Sequence, residues 1–326
     1  MLPTYSIAIR TLGTSGDKFV RELNSIAKQT IKPEKVIIYI AERYKHPDYS
    51  IGFEEYIEVK KGMVAQRALE YNEITSEYIL MLDDDVELAP NSVEILLQAI
   101  VENNADCIAA DTFKNHKMSL KSKVYNMIVN LAFPHYSKKW AFKIYQNGSF
   151  SYINNPSRQF YLSQSAAGPA SLWKKESFLR INYTEELWLD KLGFAYGDES
   201  LFFHKLYKNG MKLGVLFNTG IVHLDGKTSS SNYHSNVNKF STRSFASFVI
   251  WHRTCRNLKD NSIYYKVITD LSFMAKIFWL IPIHLIASVK FRTYKVFFYY
   301  IKGIYDGIKF INSNEYKSIP NFIIKK

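Results

Sequence analysis

The sequence predicts an α/β protein with a mostly parallel, Rossmann-like sheet flanked by helices and a basic, aromatic-rich helical extension at its C-terminal end. Two observations carry this reading. Through the first 110 residues, short apolar runs alternate with amphipathic ones, the pattern of parallel strands joined by helical crossovers. The charge is also divided unevenly. Residues 1–226 hold 26 Lys and Arg against 26 Asp and Glu, whereas residues 227–326 hold 16 against 4, so the net charge of +12 lies entirely in the second segment.

The elements follow in order. Ser6–Arg10 is a short apolar strand ending at Thr11 and Gly13. Asp17–Gln29 places Phe19, Val20, Leu23 and Ile26 at helical spacing. Lys35–Ile40 is a second buried strand and Tyr56–Val59 a third; Ala65–Tyr71 is expected to be helical and Tyr78–Leu82 to be the fourth strand. Pro90–Asn103 is a helix with Val93, Leu96, Leu97 and Ile100 on one face. Residues 114–160 lack a clear alternation and are expected to be an insertion or helical excursion. Ligands of sheets of this kind bind at the carboxyl ends of the strands.

Composition bounds the class. At 326 residues, 47% hydrophobic and 22% charged, the chain is neither disordered nor collagen-like nor a multi-span membrane protein. Cys107 and Cys255 make neither a disulfide framework nor a zinc cluster and suit a reducing compartment. The opening residues have no basic segment followed by an apolar run, so no signal peptide is expected. In the tail, the run from Ile277 to Val289 is interrupted by Pro282 and His284 and flanked by Lys276 and Lys290. It falls short of the ~20 apolar residues of a membrane span and fits helices lying in the bilayer interface. Such a tail attracts an anionic membrane surface; its long apolar runs suit that better than nucleic acid, and no nucleic-acid partner is expected. The plainer alternative is that these helices simply pack on the body.

Asp83, Asp84 and Asp85 follow the fourth strand without a break. Adjacent carboxylates repel one another unless a cation offsets them, and Mg²⁺ or Mn²⁺ takes one or two carboxylates and completes its shell with phosphates. In extended backbone Asp83 and Asp85 share a face. An acidic turn leading into the next helix would look the same. About 115 residues further on, Gly197–Asp198–Glu199 opens a helix that runs to Lys205–Leu206. Acidic residues there serve as general bases, or merely favour the helix N-terminus by ~0.3–1 kcal/mol.

Taken with Ser6–Thr11, Leu23–Gln29, Lys60–Arg67 and Ser76–Asp85, these motifs make residues 4–226 resemble glycosyltransferase family 2, inverting enzymes of the GT-A fold. The resemblance implies a nucleotide-sugar donor, a UDP-sugar favoured, bound by Thr11, Glu42, Arg67, Asp83, Asp84 and Gly168. It implies Mn²⁺ or Mg²⁺ held by Asp85 and His223 with Asp83 completing the shell, and Asp198 or Glu199 as the base. The acidic pair runs Asp-Glu here where the family usually has Glu-Asp; side-chain type favours Asp198 and the spacing to Lys205–Leu206 favours Glu199. The first strand ends Arg10–Thr11 where Pro-Thr is usual, and Ala41–Glu42–Arg43 replaces an acidic, Ser-rich turn. Lys227 follows the His223 strand and is placed to meet the diphosphate, and Trp188 is placed either to stack on an acceptor sugar or to be buried.

The expectation is therefore a transferase domain over residues 1–226, with a donor half of about 1–110 and an acceptor half of about 150–226, and a membrane-associated region over 227–326. It would act on a glycan or lipid-linked acceptor in bacterial cell-surface polysaccharide synthesis, in the cytoplasm and peripheral on the inner membrane face. Two other classes compete: a metal-dependent phosphoryl-transfer enzyme using Asp83 and Asp85, and an inactive carbohydrate- or membrane-binding scaffold. Gly226–Lys227–Thr228 is not a phosphate loop, because Ile221 stands where that motif needs glycine. No Gly-x-Gly-x-x-Gly follows the first strand, which disfavours a dinucleotide-binding oxidoreductase.

Overall fold

A computed structural model describes residues 2–113, 118–129, 139–181, 183–193, 196–224, 237–258, 262–290 and 292–321. Eight strands form the main sheet in the order β3 (Glu54–Val59), β2 (Val36–Ala41), β1 (Tyr5–Thr11), β4 (Tyr78–Asp83), β10 (Ala170–Lys174), β6 (Cys107–Ala110), β11 (Leu213–Leu216) and β9 (Phe160–Leu162). The first four are mutually parallel; β10 lies antiparallel to both β4 and β6. The mixed, mostly parallel sheet predicted from sequence is what forms.

The strands are apolar on both faces because both faces are covered. Along β4, Leu80 and Leu82 enter one core with Phe19, Leu23, Leu96 and Leu97 of helices α1 (Asp17–Ala27) and α2 (Ser92–Glu102). Ile79 and Met81 enter the other, with Trp173 of β10 and Phe202 of α5 (Asp198–Lys208). Two short strands, β5 (Val86–Leu88) and β12 (Ile221–His223), pair antiparallel beside the sheet. Within residues 114–160 lie α3 (Leu120–Val129) and a hairpin of β7 (Phe142–Ile144) and β8 (Phe150–Tyr152).

The tail comprises α6 (Val237–Trp251), continued by a π-helical turn His252–Arg256, α7 (Ile263–Lys290), α8 (Lys295–Ile311) and α9 (Asn314–Ser318). Close packing of α6 on α8 depends on glycine: a Cβ on Gly303 would lie about 2 Å from the Ser241 carbonyl oxygen. The tail also contributes Phe248, Val249, Trp251, Phe273 and Tyr316 to the same core as Trp173. The change of composition at 226 therefore separates charge and not core.

Two local expectations are corrected, and the choice left open at Trp188 is decided. Residues 65–71 are a turn and not a helix: Asp190 accepts the Val64 and Ala65 N–H groups at 2.8 and 3.0 Å, and Tyr71 adopts a left-handed backbone with φ of 50°. Helix α7 runs through Pro282 unbroken, and by length and composition Ile263–Val289 is long and apolar enough to cross a membrane. Trp188 is buried, its Nε1 donating to Glu186 Oε2 at 2.8 Å and its ring 5.6 Å from that of Phe310, so it is a core residue and no sugar platform. Lys227 lies outside the described residues.

Candidate active site

Parallel pairing brings the ends of β1 and β4 side by side, with Arg10 opposite Asp83 in register. The 62–67 turn approaches from one side, α5 from below, and β12 closes the far edge. Together they bound a cleft of about 410 Å³. Thr11, Arg67, Asp83 and Asp84 line it from the donor half; Asp85, Asp198, Glu199 and His223 complete it. Residues far apart in sequence thus converge as the motifs predict. Glu42 does not join them: it follows β2 as an exposed residue outside the lining. Gly168 lies just beneath, its N–H donating to Glu199 Oε2 at 2.9 Å.

The three adjacent aspartates diverge. The strand ends at Asp83 and the chain turns through Asp84 and Asp85, so the alternation that would place Asp83 and Asp85 on one face no longer applies. Asp83 accepts from Arg10 Nη2 at 2.6 Å, with Arg67 Nη2 4.0 Å away. Asp84 accepts from Thr11 Oγ1 at 2.5 Å; burial pushes its pKa up, against the lowering effect of hydrogen bonds from Thr11 and Ser15. Asp85 meets His223, Oδ1 to Nε2 at 3.1 Å, and that hydrogen bond raises the His223 pKa. Leu224 N–H, donating to the Asp85 carbonyl at 2.9 Å, fixes β12 against this turn.

The donor set at Asp85 and His223 is one carboxylate oxygen and one imidazole nitrogen. Among the described residues no group of three His, Cys, Asp or Glu side chains converges on a metal position, and Asp83 is drawn to the arginines. Two protein ligands fit a hard cation whose remaining shell comes from phosphates and water.

At the α5 N-terminus the two acidic residues differ. Asp198, 3% exposed, is ion-paired with Arg67 Nη1, while its carbonyl accepts from Tyr183 Oη at 2.9 Å. Glu199 keeps 31% of its side chain exposed; Arg67 Nη2 is 3.3 Å from Oε1, and burial raises its pKa above the usual carboxylate range. Gly168 is required where it stands, since a Cβ there would lie 2.3 Å from Glu199 Oε1. The space beside the Gly168 backbone is filled by this carboxylate.

Sequence reasoning missed Arg10 and Asp190. Arg10 was visible as a charge at the end of an apolar strand. Asp190 gave no local signal, because its task, holding the 62–67 turn, spans more than 120 residues.

Comparison with known proteins places the fold. Residues 23–167 match the sequence model of glycosyl transferase family 2. The solved structure of GalNAc-T7 with UDP, GalNAc and Mn²⁺ is similar with a TM-score of 0.52 at 12% identity, over 85% of this chain and 56% of that one. The present chain thus spans little more than half that neighbour's length. A search of curated proteins returned no match. The fold is that of the GT-A glycosyltransferases. The matched residues carry Arg67 and Asp83–Asp85 of the cleft, and over that segment the chain is similar to glycosyl transferase family 2.

Proposed function

We propose that the chain transfers a sugar from a nucleoside-diphosphate donor, a UDP-sugar by preference, to a hydroxyl of a glycan or lipid-linked acceptor, with inversion, in building a bacterial surface polysaccharide. The observation that carries this reading is the convergence of the Asp85–His223 pair and the Asp198–Glu199 pair on one cleft at the carboxyl ends of β1 and β4. UDP, GalNAc and Mn²⁺ in the GalNAc-T7 structure support the choice of donor and metal.

Asp85 and His223 would hold Mn²⁺ or Mg²⁺. Bound there, the cation neutralises charge that builds on the departing diphosphate. Arg10 and Arg67 keep Asp83 and Asp198 paired and add positive charge to the cleft floor. Of the acidic pair we assign Glu199 as the base: it is the more open, whereas Asp198 is buried against Arg67. Glu199 takes the proton of the acceptor hydroxyl. The acceptor oxygen forms its bond to the anomeric carbon from the face opposite the diphosphate, and the bond to the diphosphate oxygen breaks with its electron pair. Asp198 sets the position of Arg67 and is not itself the base.

The tail supports a location at the inner face of a membrane. Leu271, Met274, Phe278, Ile286 and Val289 of α7 and Phe298 of α8 are 59–79% exposed, and the surrounding region is strongly basic. Apolar side chains entering the interface beside lysines and arginines are the arrangement of peripheral helices on anionic lipid.

Calorimetric titration of UDP, GDP and dTDP, with and without Mn²⁺, tests the donor reading. Metal-dependent UDP binding weakened at least tenfold by Asp85→Asn is expected; absence of any nucleotide binding overturns it. Glu199→Gln should lower turnover by about 10²–10⁴-fold with nucleotide affinity unchanged. Wild-type turnover in that variant would return the base to Asp198.

A further inference from the structure

A second cavity, of about 550 Å³, lies where the α3–β8 excursion meets α6, α7 and α8. Its size is that of an ordinary ligand site. Its chemistry is the reverse of the catalytic cleft. Among the described residues no Asp or Glu lines it, whereas Arg243, Lys276 and His284 do. Lys276 Nζ has a backbone carbonyl, that of Asn147, at 3.4 Å, and neither Lys276 nor Arg243 takes part in an ion pair among the described residues. Burial lowers the pKa of half-buried Lys276 to about 8.

Two further polar atoms point to an absent partner. Ser149, 6% exposed, has a buried Oγ without a hydrogen-bond partner, and so does His284 at Nδ1. Buried polar groups are normally satisfied, so each marks a place for a ligand or ordered water. The remaining wall is apolar, with Phe240, Ile277, Leu280 and Ile283. The three α7 residues of that set lie on the helix whose other positions form the exposed apolar surface. The cavity is also lined by Tyr196, whose ring lies 5.9 Å from the Arg243 guanidinium and which precedes Asp198 by two residues.

We propose that this cavity receives the phosphate-bearing head of a lipid-linked acceptor, the phosphate lying against Lys276 and Arg243, the first carbons of the lipid along α7, and the sugar directed past Tyr196 to the catalytic cleft. The proposal rests on the transferase reading above and adds to it the acceptor's class and its binding place. Cation, unpaired hydroxyl and apolar wall in one cavity match an amphiphile with an anionic head. A free glycan would have no use for the apolar side, and a plain membrane surface none for an interior lysine.

The test uses the full chain and phosphatidylcholine vesicles carrying either a polyprenyl diphosphate or phosphatidylglycerol at equal total charge, with inorganic diphosphate as the soluble probe. Tighter co-sedimentation with the polyprenyl diphosphate vesicles is expected. Lys276→Met should remove that excess by tenfold or more and Lys276→Arg should keep most of it, with binding to phosphatidylglycerol vesicles and Mn²⁺-dependent UDP binding unchanged in both. Arg243→Gln, at an exposed position, carries the same test should Lys276→Met fail to fold. Equal binding to the two vesicle types, or variants indistinguishable from wild type, overturns the proposal. Binding of inorganic diphosphate with no gain from the polyprenyl chain overturns the lipid assignment in favour of a soluble phosphate ligand. Loss of UDP binding in the wild type would sink the donor reading and leave the vesicle comparison to be judged by itself.

Discussion

Helix α5 carries a charge cluster at each end, and the two are built on opposite principles. At its N-terminus Asp198 and Glu199 join a cleft lined by five carboxylates, two arginines and one histidine. Two turns further on, Lys205 is 0% exposed and closes onto Glu185 at 2.5 Å and Glu186 at 3.7 Å. Glu186, also 0% exposed, is ion-paired with Arg253 of the π-helical turn, which in addition donates to the Pro320 carbonyl at 3.3 Å. There two acids meet two bases away from water. The balanced, sealed cluster ties α5 to the tail. The unbalanced, open one holds excess negative charge at a place where a cation and an acceptor hydroxyl can be handled. Charge density alone does not tell them apart; balance and access do.

The largest effect should come from unbalancing the sealed cluster. Glu186→Ala leaves Lys205 and Arg253 buried with too little anion, and removing one partner of a buried pair costs about 3–5 kcal/mol. Denaturant midpoints should fall accordingly, whereas Asp85→Asn, in the open cluster, should leave stability nearly unchanged or raise it by relieving repulsion. Equal destabilisation by the two substitutions would erase the distinction.

Next in size is Gly168→Ala, which tests how closely the open cluster is set. The added methyl must displace the Glu199 carboxylate, and a shift of about 1 Å in a reacting group can cost on the order of 10²-fold in rate. Turnover should fall by that order with UDP affinity retained. A matched loss of nucleotide affinity would mean that the strand, and not Glu199, had moved.

Much of this was legible in the sequence. Strand and helix positions in residues 1–110 follow from apolar runs and periodicity, which are local signals: β4 was expected at Tyr78–Leu82 and runs to Asp83. The gathering of both acidic motifs in one cleft was also foreseen. What was not legible depends on contacts across the fold. Residues 65–71 carry a helical pattern, yet Asp190 captures the first N–H groups of the turn. Asp83 and Asp85 part because the strand stops between them. Pro282 reads as a break, yet α7 continues through it. The tail reads as an appendage by charge, yet Trp251 and Tyr316 sit in the main core.

The smallest effect concerns a carboxylate belonging to neither kind of cluster. Glu22 of α1 is 0% exposed, and burial, reinforced by the nearby Asp84 charge, holds its pKa well above the ordinary 4.5. It binds a proton in the folded state that the unfolded chain releases, so its contribution to stability is complete below pH 4.5 and declines as the pH rises towards the folded pKa. Glu22→Gln keeps the shape and removes the titration. The variant should match wild type near pH 4 and be the more stable of the two at pH 7, with the higher Tm. Thermal unfolding at the two pH values decides the point. A gain independent of pH would mean that Glu22 does not carry its proton, and that the negative charge beneath the cleft is larger by one than this account allows.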